Sequence, residues 1–325
     1  MKLATLREGG HDGTLVVVDR EGSRAVAASV PTLQRALETW DRVAPRLEAL
    51  YRMLNEDSGQ GFMLDPARLA APLPRTYQWL DGSAYLTHVE RVRRARGAEL
   101  PEQLLTDPLM YQGGGDTLLG PRDPICVADA DWGPDFEAEV GVITDAVPMG
   151  VTSADAAGHI KLLVLVNDIS LRNLIPAELA KGFGFLHGKP SSALSPVAVT
   201  PDELNGAWDG GKLHLPLLTH LNGQRFGDPD TGEDMQFDFP ALISHAARTR
   251  RLTAGTLIGS GTVSNADTRR GCSCLVEKRV LEVIETGAAH TPFLQYGDRV
   301  RIEMLDREGH SVFGAIEQEV IPCPR

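Results

Sequence analysis

The segment Asp135-Phe136-Glu137-Ala138-Glu139-Val140 sets two glutamates two residues apart. On a strand, Glu137 and Glu139 project from one face while Phe136, Ala138 and Val140 project from the other. The apolar set suits a core, so both acids lie on the opposite side. Neighbouring carboxylates repel, and keeping both ionised requires solvent or a cation between them. A solvated sheet face meets that condition as well as a bound ion does, and the pair alone does not choose. Asp168 adds weight to the ion. It stands just beyond the apolar run Ile160–Val166, where a charge is costly unless paired or ligated. The competing reading makes it a helix N-cap. Three carboxylates, with no cysteine nearby and no histidine at ligand spacing, suit a hard oxygen-seeking cation: Mg2+, Mn2+ or Ca2+.

Strands must hold these acids, and strands are what the surrounding pattern predicts. Asp135–Ile143 alternates, Ile160–Asn167 is nearly continuous apolar sequence, and His214–Leu221 alternates up to Asn222-Gly223. That dipeptide marks a hairpin turn, with Gln224–Phe226 returning. Leu257–Ser264, Cys272–Ile284, Arg299–Met304 and Val312–Val320 read as further strands, with Tyr296-Gly297-Asp298 as a turn between two of them. Phe239–Arg251 has helical spacing. Toward the N-terminus, Leu15–Val18 and a second short strand reaching Val30 precede Thr32, which can cap a helix. That helix carries Leu33, Leu37, Trp40, Leu47, Leu50 and Leu54, a core-facing stripe. Periodicity stops between Asn55 and Pro74, which reads as a linker. The division expected is a small α+β unit over 1–72 and a catalytic domain over 73–325. The fold class expected is mainly β or α+β, with a mixed β-sandwich or rolled β catalytic domain.

Composition narrows the partners. Across 325 residues, 44 Asp and Glu against 32 Lys and Arg leave a net charge of −12, which argues against nucleic acid or an anionic membrane surface. A local basic pocket for an acidic substrate stays open. The 33 glycines and 21 prolines exceed what a helical bundle carries and favour strands and turns. No stretch approaches the roughly 18 apolar residues of a membrane span. No secretory signal is visible at the N-terminus, and the four cysteines include no CxxC pair. Reduced, buried thiols in a reducing cytosol are the expectation.

The E-x-E strand, the apolar strand ending in Asn167-Asp168 with Ser170 and Arg172 just after it, and Gly188-Lys189 resemble the fumarylacetoacetate hydrolase family. So do Asn222-Gly223, Gly259-Ser260-Gly261-Thr262 and Tyr296-Gly297-Asp298, in matching order over roughly residues 70 to 322. The resemblance implies that Glu137, Glu139 and Asp168 are metal ligands. It adds Asp81, seven residues before His88, as a fourth. His88 is then the general base that activates water, oriented by Glu277. Lys189 and Arg172 lie near developing negative charge, and Tyr111, Thr262 and Arg96 contact substrate. The resemblance further implies a divalent metal, Mg2+ first with Ca2+ or Mn2+ as alternatives, a small acidic oxo-acid substrate and a homodimer. The reaction implied is hydrolysis of a carbon–carbon bond in a 1,3-diketo acid of the fumarylacetoacetate or acylpyruvate type, in aromatic, tyrosine or other amino-acid catabolism. The alternative is decarboxylation, isomerisation or hydration of a 2-oxo acid at the same metal-enolate site. One departure bears on this choice. The hydrolase that names the family carries a glutamine three residues after its arginine, and here that position is Ile175.

Overall fold

The computed structural model describes residues 1–57, 59–94 and 101–323. Its main sheet has eleven strands. From one edge it runs β4 (Phe62–Met63), β3 (Arg24–Ala27), β2 (Thr14–Val18), β1 (Lys2–Leu6), β13 (Ala198–Val199) and β10 (Ile160–Asn167). It continues through β9 (Ala138–Thr144), β16 (Leu257–Gly259), β5 (Trp79–Gly82) and β6 (Met110–Gly113), with β12 (Ala193–Leu194) also paired to β10. A second sheet of five runs β15 (Gln224–Gly227), β14 (Leu217–Leu221), β17 (Arg299–Met304), β18 (Ile316–Pro322) and β7 (Ile125–Val127). A short pair joins β8 (Pro134–Asp135) to β11 (Ser170–Leu171). Mixed sheets with few helices match the fold class expected.

The continuous apolar character of β10 has a physical cause: both of its faces are covered. Leu163 and Leu165 join Val140 and Val142 in a core shared with Leu217, Ile302 and Met304 of the second sheet. Leu162, Val164 and Val166 join Ile143 in the core on the opposite face. There they pack with Leu33 and Leu37 of α1 (Leu33–Leu37) and Val43 and Leu47 of α2 (Trp40–Glu56). The remaining helices are α3 (Leu86–Arg94), α4 (Ser153–Ala156), α5 (Ile175–Leu179), α6 (Phe239–Ala246) and α7 (Leu275–Thr286). Among the described residues, no helix is long and apolar enough to cross a membrane.

Several local expectations hold. Thr32 caps α1 by accepting from the Arg35 N–H. Asn222 and Gly223 both have positive φ, 52° and 78°, which is the twist a two-residue hairpin between β14 and β15 demands. Others need correction. The single helix expected from Leu33 to Leu54 is two, divided at Glu38 and Thr39. The stretch 55–74 is more than a tether, since it contains β4, which pairs with β3 of the preceding unit. Cys272–Ile284 is not a strand: from Leu275 it is the helix α7. Its β-branched residues, Val276, Val280, Val283 and Ile284, favour a strand by type, although their spacing is helical. The helix start is instead held from outside, by Asp135 accepting from the N–H groups of Leu275 (2.7 Å) and Val276 (3.0 Å). Cys272 and Cys274 are buried thiols, but Cys126 is exposed.

Candidate active site

Three strands of the main sheet position the acids. Asp81 lies on β5, Glu139 on β9, and Asp168 directly after β10, with β16 between β5 and β9. Two glycines make this convergence possible. A Cβ at Gly259 would run into Asp81 Oδ1, and Gly261, with φ of +76°, would drive one into the Gly82 carbonyl. The Gly261 N–H then reaches Asp81 Oδ1 at 3.0 Å. Asp81, Glu139 and Asp168 each bring one oxygen within 4.8 Å of the others, and all three are buried.

The electrostatics of this group are unbalanced. Neither oxygen of Glu139 receives a hydrogen bond from a donor among the described residues. Burial, and then the charges of Asp81 and Asp168, push its carboxyl well above the usual range. Asp81 is pushed up to about 8, first by burial and then by Asp168. Asp168 is not a helix cap. It accepts from Ser192 Oγ (2.6 Å) on one oxygen, and from Tyr111 Oη (2.7 Å) and Lys189 Nζ (2.5 Å) on the other. An orphaned buried carboxylate among all-oxygen neighbours fits a hard divalent cation, which would supply the missing positive charge.

Glu137 is placed differently. Its Oε1 accepts from Arg172 (2.7 Å) and Thr262 Oγ1 (2.8 Å), and its Oε2 accepts from Ser170 Oγ (3.2 Å) and from Lys189. Burial alone would raise its pKa, but Arg172 and Lys189 outweigh burial and hold the carboxyl well below the usual range. The same acids keep both cations protonated, Lys189 through Asp168 and Glu137, Arg172 through Glu137 and Asp135. Tyr111 is also held in its protonated form, by burial and by the charge of Asp168.

Across the cavity, α3 presents His88, whose Nδ1 lies 2.6 Å from Glu277 Oε2 on α7. Glu277 is buried, and Arg91 (2.6 Å) and Ser264 (2.9 Å) donate to its other oxygen. Against the upward push of burial, His88, Arg91 and Ser264 keep Glu277 below the usual range, so it stays ionised. With Nδ1 committed to that carboxylate, the Nε2 of His88 is the atom available to the cavity. Asp81, His88, Tyr111, Glu137, Arg172, Lys189 and Thr262 all line one cavity of about 430 Å3. Ile175, Leu179, Phe185 and Phe293 supply apolar wall.

Ten of the eleven residues singled out from the sequence therefore converge. Arg96 lies outside the described residues. Tyr111 and Thr262, expected to touch substrate, line the cavity while spending their hydroxyls on Asp168 and Glu137. Two further residues organise the site. Asp135 binds Arg172 Nε (2.8 Å) and the start of α7 at once. It shares the period of Glu137 and Glu139, so that spacing could have flagged it. Arg91, one turn after His88 on α3, reaches the same glutamate as His88, a partner 186 residues away.

The arrangement has relatives. Residues 78–321 match the fumarylacetoacetate (FAA) hydrolase C-terminal family, and residues 1–75 match fumarylacetoacetase N-terminal domain 2. The chain belongs to the fumarylacetoacetate hydrolase family. A 2,4-didehydro-3-deoxy-L-rhamnonate hydrolase from Sphingomonas sp. is 29% identical over 160 residues, 48% of this chain and 53% of that protein. The chain thus spans about half the length of the first curated relatives it matches. An oxaloacetate tautomerase from Bacillus subtilis is 23% identical over 78% of this chain and 76% of its own. Among solved structures, a fumarylacetoacetate hydrolase from Exiguobacterium antarcticum superposes with a TM-score of 0.67 at 20% identity, covering 99% of this chain and 100% of that one. A maleylpyruvate hydrolase from Sphingobium sp. SYK-6, in complex with manganese(II) and pyruvate, gives 0.65 at 17% identity with full coverage of both. Both likenesses establish the fold. Hydrolases and a tautomerase are thus among the family's relatives of this chain.

Proposed function

We propose that this family member is a divalent-metal-dependent hydrolase that cleaves a carbon–carbon bond in a 1,3-diketo acid of the acylpyruvate type. It would work on a small acidic oxo acid in a reducing cytosol, as a homodimer. The observation that carries the reading is the His88–Glu277 pair facing the carboxylate group in one cavity. Asp81, Glu139 and Asp168 would hold the ion, Mg2+ first with Ca2+ or Mn2+ as alternatives, and Glu137, paired with Arg172 and Lys189, would lie beside them. When bound, that ion supplies Lewis-acid polarisation of the substrate's carbonyl oxygens.

The chain's own residues supply the rest. His88 Nε2 takes a proton from water, and ionised Glu277 holds the ring and stabilises the imidazolium that results. The hydroxide so formed adds to the distal carbonyl. The bond between that carbon and the neighbouring methylene breaks, leaving a carboxylic acid and an enolate. Lys189 Nζ, kept protonated by Glu137 and Asp168, donates to developing oxyanion charge, and the apolar wall excludes competing water. His88 then returns its proton to the enolate carbon, completing the pyruvate-type product.

A specific observation supports a second reading. Ile175 is buried in the cavity wall where a glutamine donor stands in the hydrolase that names the family. An oxyanion site with one donor fewer favours enolate chemistry without water attack, such as tautomerisation or decarboxylation of a 2-oxo acid. Ultraviolet absorbance separates the two. Acylpyruvates lose their enol band on hydrolysis, and the loss is expected only with a divalent metal present. Unchanged absorbance across a panel of acylpyruvates sinks the hydrolase reading and turns product analysis to 2-oxo acids.

A further inference from the structure

The cavity contains a cation that this mechanism leaves unused. Arg279 lies on α7, three residues after Val276, and both line the cavity. The other cations there are already compensated. Arg172 pairs with Asp135 and Glu137, and Lys189 pairs with Glu137 and Asp168. Arg91, behind His88, pairs with Glu277. Arg279 has no acidic partner among the described residues. One of its N–H groups donates to the Thr291 carbonyl, and its guanidinium carbon stands 4.3 Å from the centre of the Phe293 ring.

That stack is held from the same helix. Glu282, three residues after Arg279, accepts from the backbone N–H of His290 (2.7 Å) and Thr291 (2.9 Å) and from Thr291 Oγ1 (2.5 Å). These bonds fasten the segment carrying Phe293 to α7. The guanidinium is thus held over a ring, with most of its five donors uncommitted among the described residues. The same cavity wall includes carbon from Val276, Phe293, Ile175 and Leu179. A substrate with an uncharged far end would leave this cation without a counter-ion, whereas a carboxylate there would meet a planar, pre-oriented fork.

We propose that Arg279 is the specificity determinant for a second carboxylate, so that the protein selects oxo acids carrying an acidic group at each end. The proposal builds on the oxo-acid reading above, and its test does not use turnover. Calorimetric titration of the Mg2+-loaded protein would compare 2-oxoglutarate, 2-oxoadipate and 2-oxopimelate with 2-oxopentanoate, 2-oxohexanoate and 2-oxoheptanoate, their monocarboxylate counterparts. At least one dicarboxylate is expected to bind roughly ten- to a hundredfold more tightly than its counterpart, the range of a charge-assisted contact. In Arg279→Met that ratio should collapse toward one, mainly by weakening the dicarboxylate, and Arg279→Lys should keep part of it. A wild-type ratio near one overturns the proposal, as does a ratio that Arg279→Met leaves unchanged. Parallel loss of both affinities also overturns it, because a merely structural role gives that result. Failure to hydrolyse acylpyruvates would sink the proposed reaction while leaving this ratio measurable.

Discussion

Glu137 and Glu139 stand two residues apart and are both buried, yet they have opposite surroundings. Around Glu137 are Arg172, Lys189 and two hydroxyls. Around Glu139 are Asp81 and Asp168 and, among the described residues, no donor. The first region is neutralised by the chain's own cations and is complete as it stands. The second is an excess of buried negative charge that only an external cation or protons can balance. Lys189 joins the two, because its ammonium is shared between Glu137 and Asp168. Identical residue types at strand spacing therefore do different work, and the difference lies in what other segments bring to each.

The largest effect expected concerns neither glutamate. If the carboxylates hold the ion and His88 moves the proton, His88→Ala should lower kcat by roughly 10^2- to 10^4-fold. Metal affinity, read by titration with Mn2+, should barely change. Loss of metal affinity in that variant would place His88 inside the ion-holding region and dissolve the division of labour.

Next in size is a difference of sign in the metal-free protein. Glu137→Gln removes the counter-charge of two buried cations and should destabilise the fold by about 3–5 kcal/mol. Glu139→Gln removes a repelled, unpartnered acid and should leave stability unchanged or raise it. Urea denaturation of both variants reads this directly. Equal destabilisation would mean that the two acids are not differently placed.

The smallest effect is in the pH dependence. Asp81 and Glu139 have pKa values raised by folding, so the folded chain holds their protons more tightly than the unfolded chain does. Stability of the metal-free protein should therefore fall as pH rises from the ordinary carboxylate range toward about 8. Glu137 is depressed, so its contribution is present above the ordinary value and lost only as pH falls well below it. The two regions act in separate windows. Melting of the chelator-treated protein between pH 5 and 8 should drop by a few degrees, and excess Mg2+ should abolish the drop. A melting temperature that rises across this window would contradict the charge imbalance.

The sequence alone determined β9 and the apolar β10 that precedes Asp168, because period-two alternation and a doubly buried apolar run follow from which faces are covered, but it did not mark β5, which carries Asp81. It also pointed to the family, and through that resemblance to the seven polar side chains Asp81, His88, Tyr111, Glu137, Arg172, Lys189 and Thr262 of the cavity lining. It left α7 as a strand, since what starts that helix is Asp135, 140 residues upstream in the chain. Only the tertiary structure decided that Glu137 is compensated and Glu139 is not, that Arg91 shares Glu277 with His88, and that Arg279 faces the cavity with no acidic partner among the described residues. Each of these depends on charges brought together from distant segments. Electrostatic environment is a property of distance in space, and the local pattern of a chain records only distance along it.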